Sequence, residues 1–334
     1  MNKADLIYHS RIYKIFKPFY SGIGHVLMFH RVGINDDQVF TRDLMVRPAF
    51  LEASLKYFIS RDIDVVSLDE CYRRLTSGKR VKRFVTFTLD DGYEDNLTQA
   101  LPVFEKYGAP FSVFLTTGFP DHQIVLWWYH LENLIMNHDS IEFEDGNRGF
   151  SFRTSTKSEK KDAFWEIRRY IMQSKQEELL PRLQKIFKKD LQGLLDLTKK
   201  MALSWDQITE LSNHPLATIG SHTVKHMALS ELPEKEVLTE IKEAIGIIRE
   251  KTGKPVAHLA YPYGISSTVG PREFRIAGQC DVKLAFTTES SNILKRHIKH
   301  LHALPRIEMT ESWDHPSFEF YMNGFTPFIH KFIR

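Results

Sequence analysis

The chain has 334 residues, 42% of them hydrophobic and 26% charged, with a formal net charge of +3. That length suits one large α/β domain or two small ones, and the apolar fraction excludes wholesale disorder. So small a net charge argues against nucleic-acid binding as the main task. Cys71 and Cys280 make neither a disulfide framework nor a Cys-rich zinc site and read as small core residues.

Residues 1–24 form a basic, aromatic N-terminal segment containing Tyr13, Lys14, Phe16, Lys17, Phe19 and Tyr20. Residues 311–334 form a similar C-terminal segment, with Phe328, His330, Lys331, Phe332 and Arg334. Met1-Asn2-Lys3-Ala4-Asp5 lacks the charged-then-apolar pattern of a secretory signal, which predicts a cytoplasmic location. No apolar run reaches the roughly 18 residues that a spanning helix needs. Basic aromatic segments can lie on a membrane surface, so peripheral association with the inner face of the membrane is one expectation. Terminal segments packed on the domain are the other.

The apolar pattern alternates between strand and helix from residue 25 onward. His25 to Phe29 predicts a strand, and Phe50, Leu51, Leu55, Phe58 and Ile59 follow helical spacing. Asp64-Val65-Val66 reads as a strand, followed by a helix that Ser67 can cap. Arg83 to Leu89 is the next strand, then a helix through Leu101, Phe104 and Tyr107 ended by Gly108, then the strand Phe111 to Leu115. This rhythm predicts a parallel sheet, open or closed. It breaks at about residues 120–203, where spaced apolar residues such as Phe164, Ile167 and Ile171 predict an inserted helical subdomain. Ala217 to Gly220 resumes the pattern, with a helix from Val237 to Ile248 and strands Ala257–Tyr261, Leu284–Thr287 and Ala303–Ile307. Trp205 and Trp313 read as core residues.

Chemistry concentrates at two places. Asp90-Asp91-Gly92 follows an apolar strand, where parallel α/β folds gather their reacting groups. Adjacent carboxylates repel and lose hydration together unless a cation or proton compensates. Successive residues point oppositely, so one carboxylate can bind a metal while the other stays free to take a proton. Ser221-His222-Thr223-Val224-Lys225-His226 follows another apolar strand. On a helical turn, His222 and His226 would share one face, and two His plus one carboxylate leave an open position for water. Thr223 stands where a His-Glu-x-x-His motif has its base, so the base comes from elsewhere, and Asp90 or Asp91 is available.

Thr88-Leu89-Asp90-Asp91-Gly92, the Ser221–His226 segment and Tyr261-Pro262-Tyr263-Gly264 resemble, in order, three motifs of the polysaccharide deacetylases, the NodB-homology or carbohydrate esterase family 4 group. The resemblance implies a distorted (β/α)₇ barrel over residues 25–310, with the insertion least covered. It implies Asp90 as general base and Asp91, His222 and His226 as ligands of a divalent metal, by default zinc. A backbone amide near Tyr263 would help hold the oxyanion, and Tyr263 and Pro262 are counted among the substrate-binding residues. The chain departs from the pattern in three respects. Leu89 replaces Phe, and Leu259-Ala260 stands where the third motif usually has an arginine that contacts the base. Arg306, from another strand, is the candidate replacement and is also counted among the substrate-binding residues. His300 and His302 lack the strand context of the family's late histidine motif. Met28-Phe29-His30 is similar to an early Met-Tyr-His motif in a permuted subgroup, which implies His30 as general acid.

Trp127, Trp128 and Tyr129 open the insertion and are candidate walls for a sugar ring, Trp127 foremost, with a packing anchor as the alternative. The implied activity is N-deacetylation of a saccharide that is nucleotide-linked, lipid-linked or under assembly. Cleavage of O-acetyl esters or non-sugar amides, and a non-catalytic carbohydrate-binding role, are the alternatives.

Overall fold

The predicted strands form where apolar runs lack helical spacing. In the computed structural model, which describes residues 3–34, 39–175, 177–312, 315–326 and 329, they are β1 (Gly24–Phe29), β2 (Arg31–Val32), β3 (Met45–Val46), β4 (Asp64–Val65), β5 (Phe84–Leu89) and β6 (Phe111–Leu115). They continue as β7 (Ser140–Asp145), β8 (Arg148–Arg153), β9 (Ala217–Ser221), β10 (His258–Ala260), β11 (Leu284–Ser290) and β12 (Leu304–Glu308). Parallel pairing runs β1-β12-β11-β10-β9-β6-β5, and β5 then pairs back onto β1 from Gly24↔Phe84 to Phe29↔Leu89. The result is a closed seven-stranded parallel barrel. β4 lies outside the ring, beside the first residues of β5.

Every residue of β1, β5 and β6 is buried, as expected for strands with a filled interior on one face and helices on the other. Local signals set the helix ends. Ser67 accepts a hydrogen bond from the Glu70 amide and starts Leu68–Thr76, and Gly253, at φ +67°, ends Glu234–Thr252. Cys71 and Cys280 are buried and unpaired.

The insertion between β6 and β9 is not purely helical, which corrects the expectation from sequence. Helices Trp127–Asn137, Lys157–Met172, Leu179–Phe187 and Leu191–Met201 surround an antiparallel hairpin of β7 and β8. Ile141 and Phe143 are buried between exposed Ser140, Glu142 and Glu144, an alternation of period two. Phe143 stacks on Phe150, whose ring also packs on Tyr170, so one face of the hairpin is covered.

At the N-terminal end of the barrel, the chain's first segment packs against its last described helix, His315–Met322. Buried Tyr13 lies with its ring 5.0 Å from that of Phe320. Trp205 is half-buried and donates to Asp121, while Trp313, Phe328 and His330 to Arg334 lie outside the described residues. Among the described residues, no helix is long and apolar enough to cross a membrane.

Candidate metal and catalytic site

The site is built on loops that leave the C-terminal ends of the barrel strands. After β5 the chain turns through Asp91 (φ +73°) and Gly92 (φ +81°). A side chain at Gly92 would meet Leu115 Cδ2 at 2.5 Å, so the glycine is required both by its backbone and by its neighbour. After β9, Thr223 and His226 also have positive φ, as does Tyr263 after β10. Four non-glycine residues in this sparsely populated region, clustered in three loops, mark backbone strain stored at one place.

That strain aims three donor atoms at one point. His226 Nε2 lies 3.2 Å and His222 Nε2 3.5 Å from the same oxygen, Asp91 Oδ1. The donors of all three residues lie within 4.8 Å of one another, and all three residues are buried. Asp91 Oδ1 has no hydrogen-bond partner among the described residues. A buried, orphaned carboxylate oxygen facing two imidazole nitrogens is the donor set of a divalent cation. His222 Nδ1 donates to Ala260 O at 2.8 Å, which leaves Nε2 as the free lone pair. Burial pushes His222 down to about 4, against the pull of Asp90, so the ring is neutral, as a ligand must be. The two histidines come together through a loop, however, not a helical turn; His222 continues the strand direction and its amide donates to Leu115 O.

Asp90 is handled separately. Its carboxylate receives both terminal nitrogens of Arg306, each at 2.7 Å. Arg306 is fully buried, and its Nε donates to Thr287 O at 3.1 Å. Burial pushes the Asp90 pKa up, but the charges of Arg306 and then His222 outweigh it and hold the carboxyl below its usual range. Arg306 therefore fills the gap left by Leu259-Ala260. It has no exposed surface with which to touch a substrate, which corrects its placement among the substrate-binding residues.

His30 emerges from β1 at the same rim, half-buried, and its charge acts on both Asp90 and Asp91. Neighbouring contacts fix its backbone: Asn96 Nδ2 donates to His30 O, and Asp95 takes the Val32 amide and Arg31 Nε. His302 instead precedes β12, with Nε2 2.8 Å from Val282 O, at the opposite end of the barrel. Tyr263 is half-buried at the site, 4.7 Å from His226 ring to ring. Its carbonyl is held by Thr288 Oγ1, Gly264 N donates to Pro262 O, and its own N–H has no acceptor among the described residues. Trp127 is 3% exposed and hydrogen-bonds the Tyr263 side chain, so it supports that tyrosine and offers no open face to a sugar. Pro262 is likewise buried.

With this geometry in place, comparison with known proteins assigns a family. The model of the family Polysaccharide deacetylase matches residues 77–278. The chain belongs to the polysaccharide deacetylase family. YxkH of Bacillus subtilis (strain 168), a provisionally named polysaccharide deacetylase, is 27% identical over 118 residues. That match covers 35% of this chain and 40% of YxkH, so the chain aligns with less than half of that relative. The Streptococcus pyogenes deacetylase PplD, solved in complex with acetate, superposes with a TM-score of 0.58 at 17% identity, covering 89% of this chain and 97% of PplD. A de-N-acetylase from Aggregatibacter actinomycetemcomitans gives 0.57 at 13% identity, covering 89% and 99%. Likeness at that identity shows a shared fold.

Of three further residues that shape this site, Glu240 and Arg168 escape sequence reasoning, while Trp128 is marked there only as one of the aromatics that open the insertion. Glu240, on Glu234–Thr252, is buried and accepts the backbone amides of Val224 and Lys225 at 3.0 and 2.8 Å, which clamps the His222–His226 loop. Trp128 packs 5.3 Å from the His226 ring and donates to the Tyr93 hydroxyl. Arg168, from the insertion, places its guanidinium 5.5 Å from the Tyr263 ring, with no carboxylate partner among the described residues. Asp95 and Asn96, just after Asp90-Asp91-Gly92, had a sequence cue in their closeness to that motif.

Two outcomes follow from this geometry. Arg306→Met leaves a buried carboxylate unpaired and should cost about 3–5 kcal/mol of stability in a denaturant titration. Because Arg306 holds the Asp90 pKa down, its loss should also move the acid limb of kcat/KM to higher pH. Glu240→Ala should weaken metal affinity roughly 10–100-fold, read by competition with a chromophoric chelator, because it unclamps two ligands it never touches.

Proposed function

We propose that this chain is a zinc-dependent hydrolase that removes N-acetyl groups from an N-acetylated sugar of a glycan, releasing acetate and a free amine. The observation that carries this reading is the division of labour between adjacent carboxylates. Asp91 converges with His222 and His226, while Asp90 is locked onto Arg306. Zinc held by Asp91, His222 and His226 would supply Lewis acidity at the acetyl carbonyl and lower the proton affinity of the attacking water.

The remaining steps fall to the chain's own residues. Asp90, kept ionised by Arg306, takes the proton from the attacking water. The Tyr263 N–H, without an acceptor among the described residues, donates to the oxygen that gains charge as the carbonyl becomes tetrahedral. His30, on the same rim, gives a proton to the departing nitrogen, so that an amine leaves rather than an amide anion. Buried Trp128 and Trp127 exclude water and fix His226 and Tyr263. Arg168 and Tyr263 form the wall against which a sugar ring can lie.

An N-acetyl rather than an O-acetyl substrate is favoured by the presence of His30, since an alkoxide needs less help from an acid than an amine does. The fold shared with a de-N-acetylase adds support.

Zinc-loaded protein should release acetate from N-acetylhexosamine oligosaccharides; no turnover across a broad panel, with zinc bound, would count against the reading. His30→Ala should lower kcat on the amide about 10²–10⁴-fold and on an O-acetyl ester of the same sugar far less. Equal losses on both would remove His30 from the acid role. Arg168→Ala should raise KM with little change in kcat, as loss of a contact made equally in ground and transition states.

A further inference from the structure

A cavity of about 680 Å³ lies not at the catalytic rim but at the opposite end of the barrel. It is lined by His25 at the start of β1 and Arg83 just before β5. Arg83 and Asp90 are the two ends of the same strand, roughly 20 Å apart at the usual rise.

Its lining is strongly cationic. Lys14, Lys17, Arg61, Lys82 and Arg83 face it, against only two carboxylates, Asp62 and Glu319. Those carboxylates are already engaged, Glu319 by Arg61 at 2.9 Å and Asp62 by Lys82 at 2.6 Å. Lys14, Lys17 and Arg83 have no carboxylate partner among the described residues. Arg83 is half-buried; one terminal nitrogen lies 3.2 Å from Ser21 O and 3.1 Å from His25 Nε2, and its Nε has no partner among the described residues. His25 cannot compensate that charge. Its Nδ1 donates to Asn292 Oδ1 at 2.8 Å, which leaves Nε2 as the neutral acceptor. An uncompensated, partly desolvated guanidinium beside two free ammonium groups is a receptor for a phosphate-like anion.

A second observation identifies where that anion sits. The segment that carries Lys14 and Lys17 is helical, Ile12–Phe16 then Lys17–Tyr20. Tyr13, Phe16 and Tyr20 turn toward the protein, but Ile12, Ile15 and Phe19 are 52%, 66% and 74% exposed. At helical spacing these three form an apolar stripe on the outer surface, next to the cationic cavity. Free phosphate needs no such stripe. A bilayer supplies both parts: acyl chains for the stripe and phosphate headgroups for the cations.

We propose that the N-terminal end of the barrel is a docking surface for an anionic bilayer, with a lipid phosphate in the cavity at Arg83 and Ile12, Ile15 and Phe19 inserted at the interface. Docked this way, Asp90 and His30 face away from the lipid. The chain would then act on glycan extending from the surface and not on a sugar beside the lipid headgroup. The docking reading stands whether or not the proposed chemistry does.

The test is co-sedimentation of the full chain with vesicles of phosphatidylcholine alone and with added phosphatidylglycerol. Binding should favour the anionic vesicles roughly tenfold or more and weaken as salt rises. Lys14→Glu with Lys17→Glu, and separately Ile15→Ser with Phe19→Ser, should each lose that binding. All four side chains are exposed, so melting temperature and acetate release from a soluble substrate should not change. Wild-type-like binding by either double variant, or equal binding to both vesicle types, would overturn the proposal. Thermal stabilisation by inorganic pyrophosphate without vesicle binding would overturn it too, and would assign the cavity to a soluble phosphate.

Discussion

Two carboxylates buried side by side cannot both persist without compensation, and the barrel resolves that conflict with a different partner for each. Asp90 receives a guanidinium in a planar two-point contact, with no exposed surface on Arg306. Asp91 receives two imidazole nitrogens at one oxygen, and the His222 nitrogen is a lone pair because its Nδ1 donates to Ala260 O; among the described residues that oxygen accepts no hydrogen bond. The first arrangement keeps Asp90 ionised, and the second leaves Asp91 in a donor set that could hold a cation. The strained turn at Asp91-Gly92 makes the separation possible by sending consecutive side chains in different directions.

Barrel closure turns this local arrangement into a site. Arg306 reaches Asp90 only because β12 lies beside β1, and β1 beside β5. The His222 loop reaches Asp91 only because β9 pairs with β6, which pairs with β5. Loops after β6 and β9 are stitched together as well: Gly118 N donates to Val224 O, and a side chain at Gly118 would meet that oxygen at 2.6 Å. The insertion then caps the rim, with Trp128 against His226 and Arg168 against Tyr263. Its sequence carries no barrel signal, yet it supplies much of the wall.

Much of this was legible in the sequence because it depends on local patterns. The strand runs and the Asp90–Gly92 and His222–His226 loops can be read from apolar pattern and spacing, whereas Tyr261–Gly264 stood out only through its resemblance to a family motif. The β7–β8 hairpin was equally local, but its period-two pattern lay among helical segments. Long-range pairings were less accessible. The partner of Asp90 lies 216 positions away, and Arg306 has no cue beyond the missing arginine before Tyr261. Glu240 sits on an amphipathic helix where a carboxylate reads as solvated surface, although here two backbone amides bury it. Histidines four apart fit a helical turn, but left-handed backbone at Thr223 and His226 brings them together in a loop. Trp127 looked like a sugar platform because aromatic side chains serve both stacking and packing; its burial decides for packing.

The most direct test of the division between the carboxylates is a crystal structure of zinc-soaked protein with anomalous diffraction at the zinc edge. The account predicts one strong peak within bonding distance of Asp91, His222 and His226, with Asp90 still paired to Arg306. A peak that bridges Asp90 and Asp91 and displaces Arg306, or no peak near the two histidines, would contradict it.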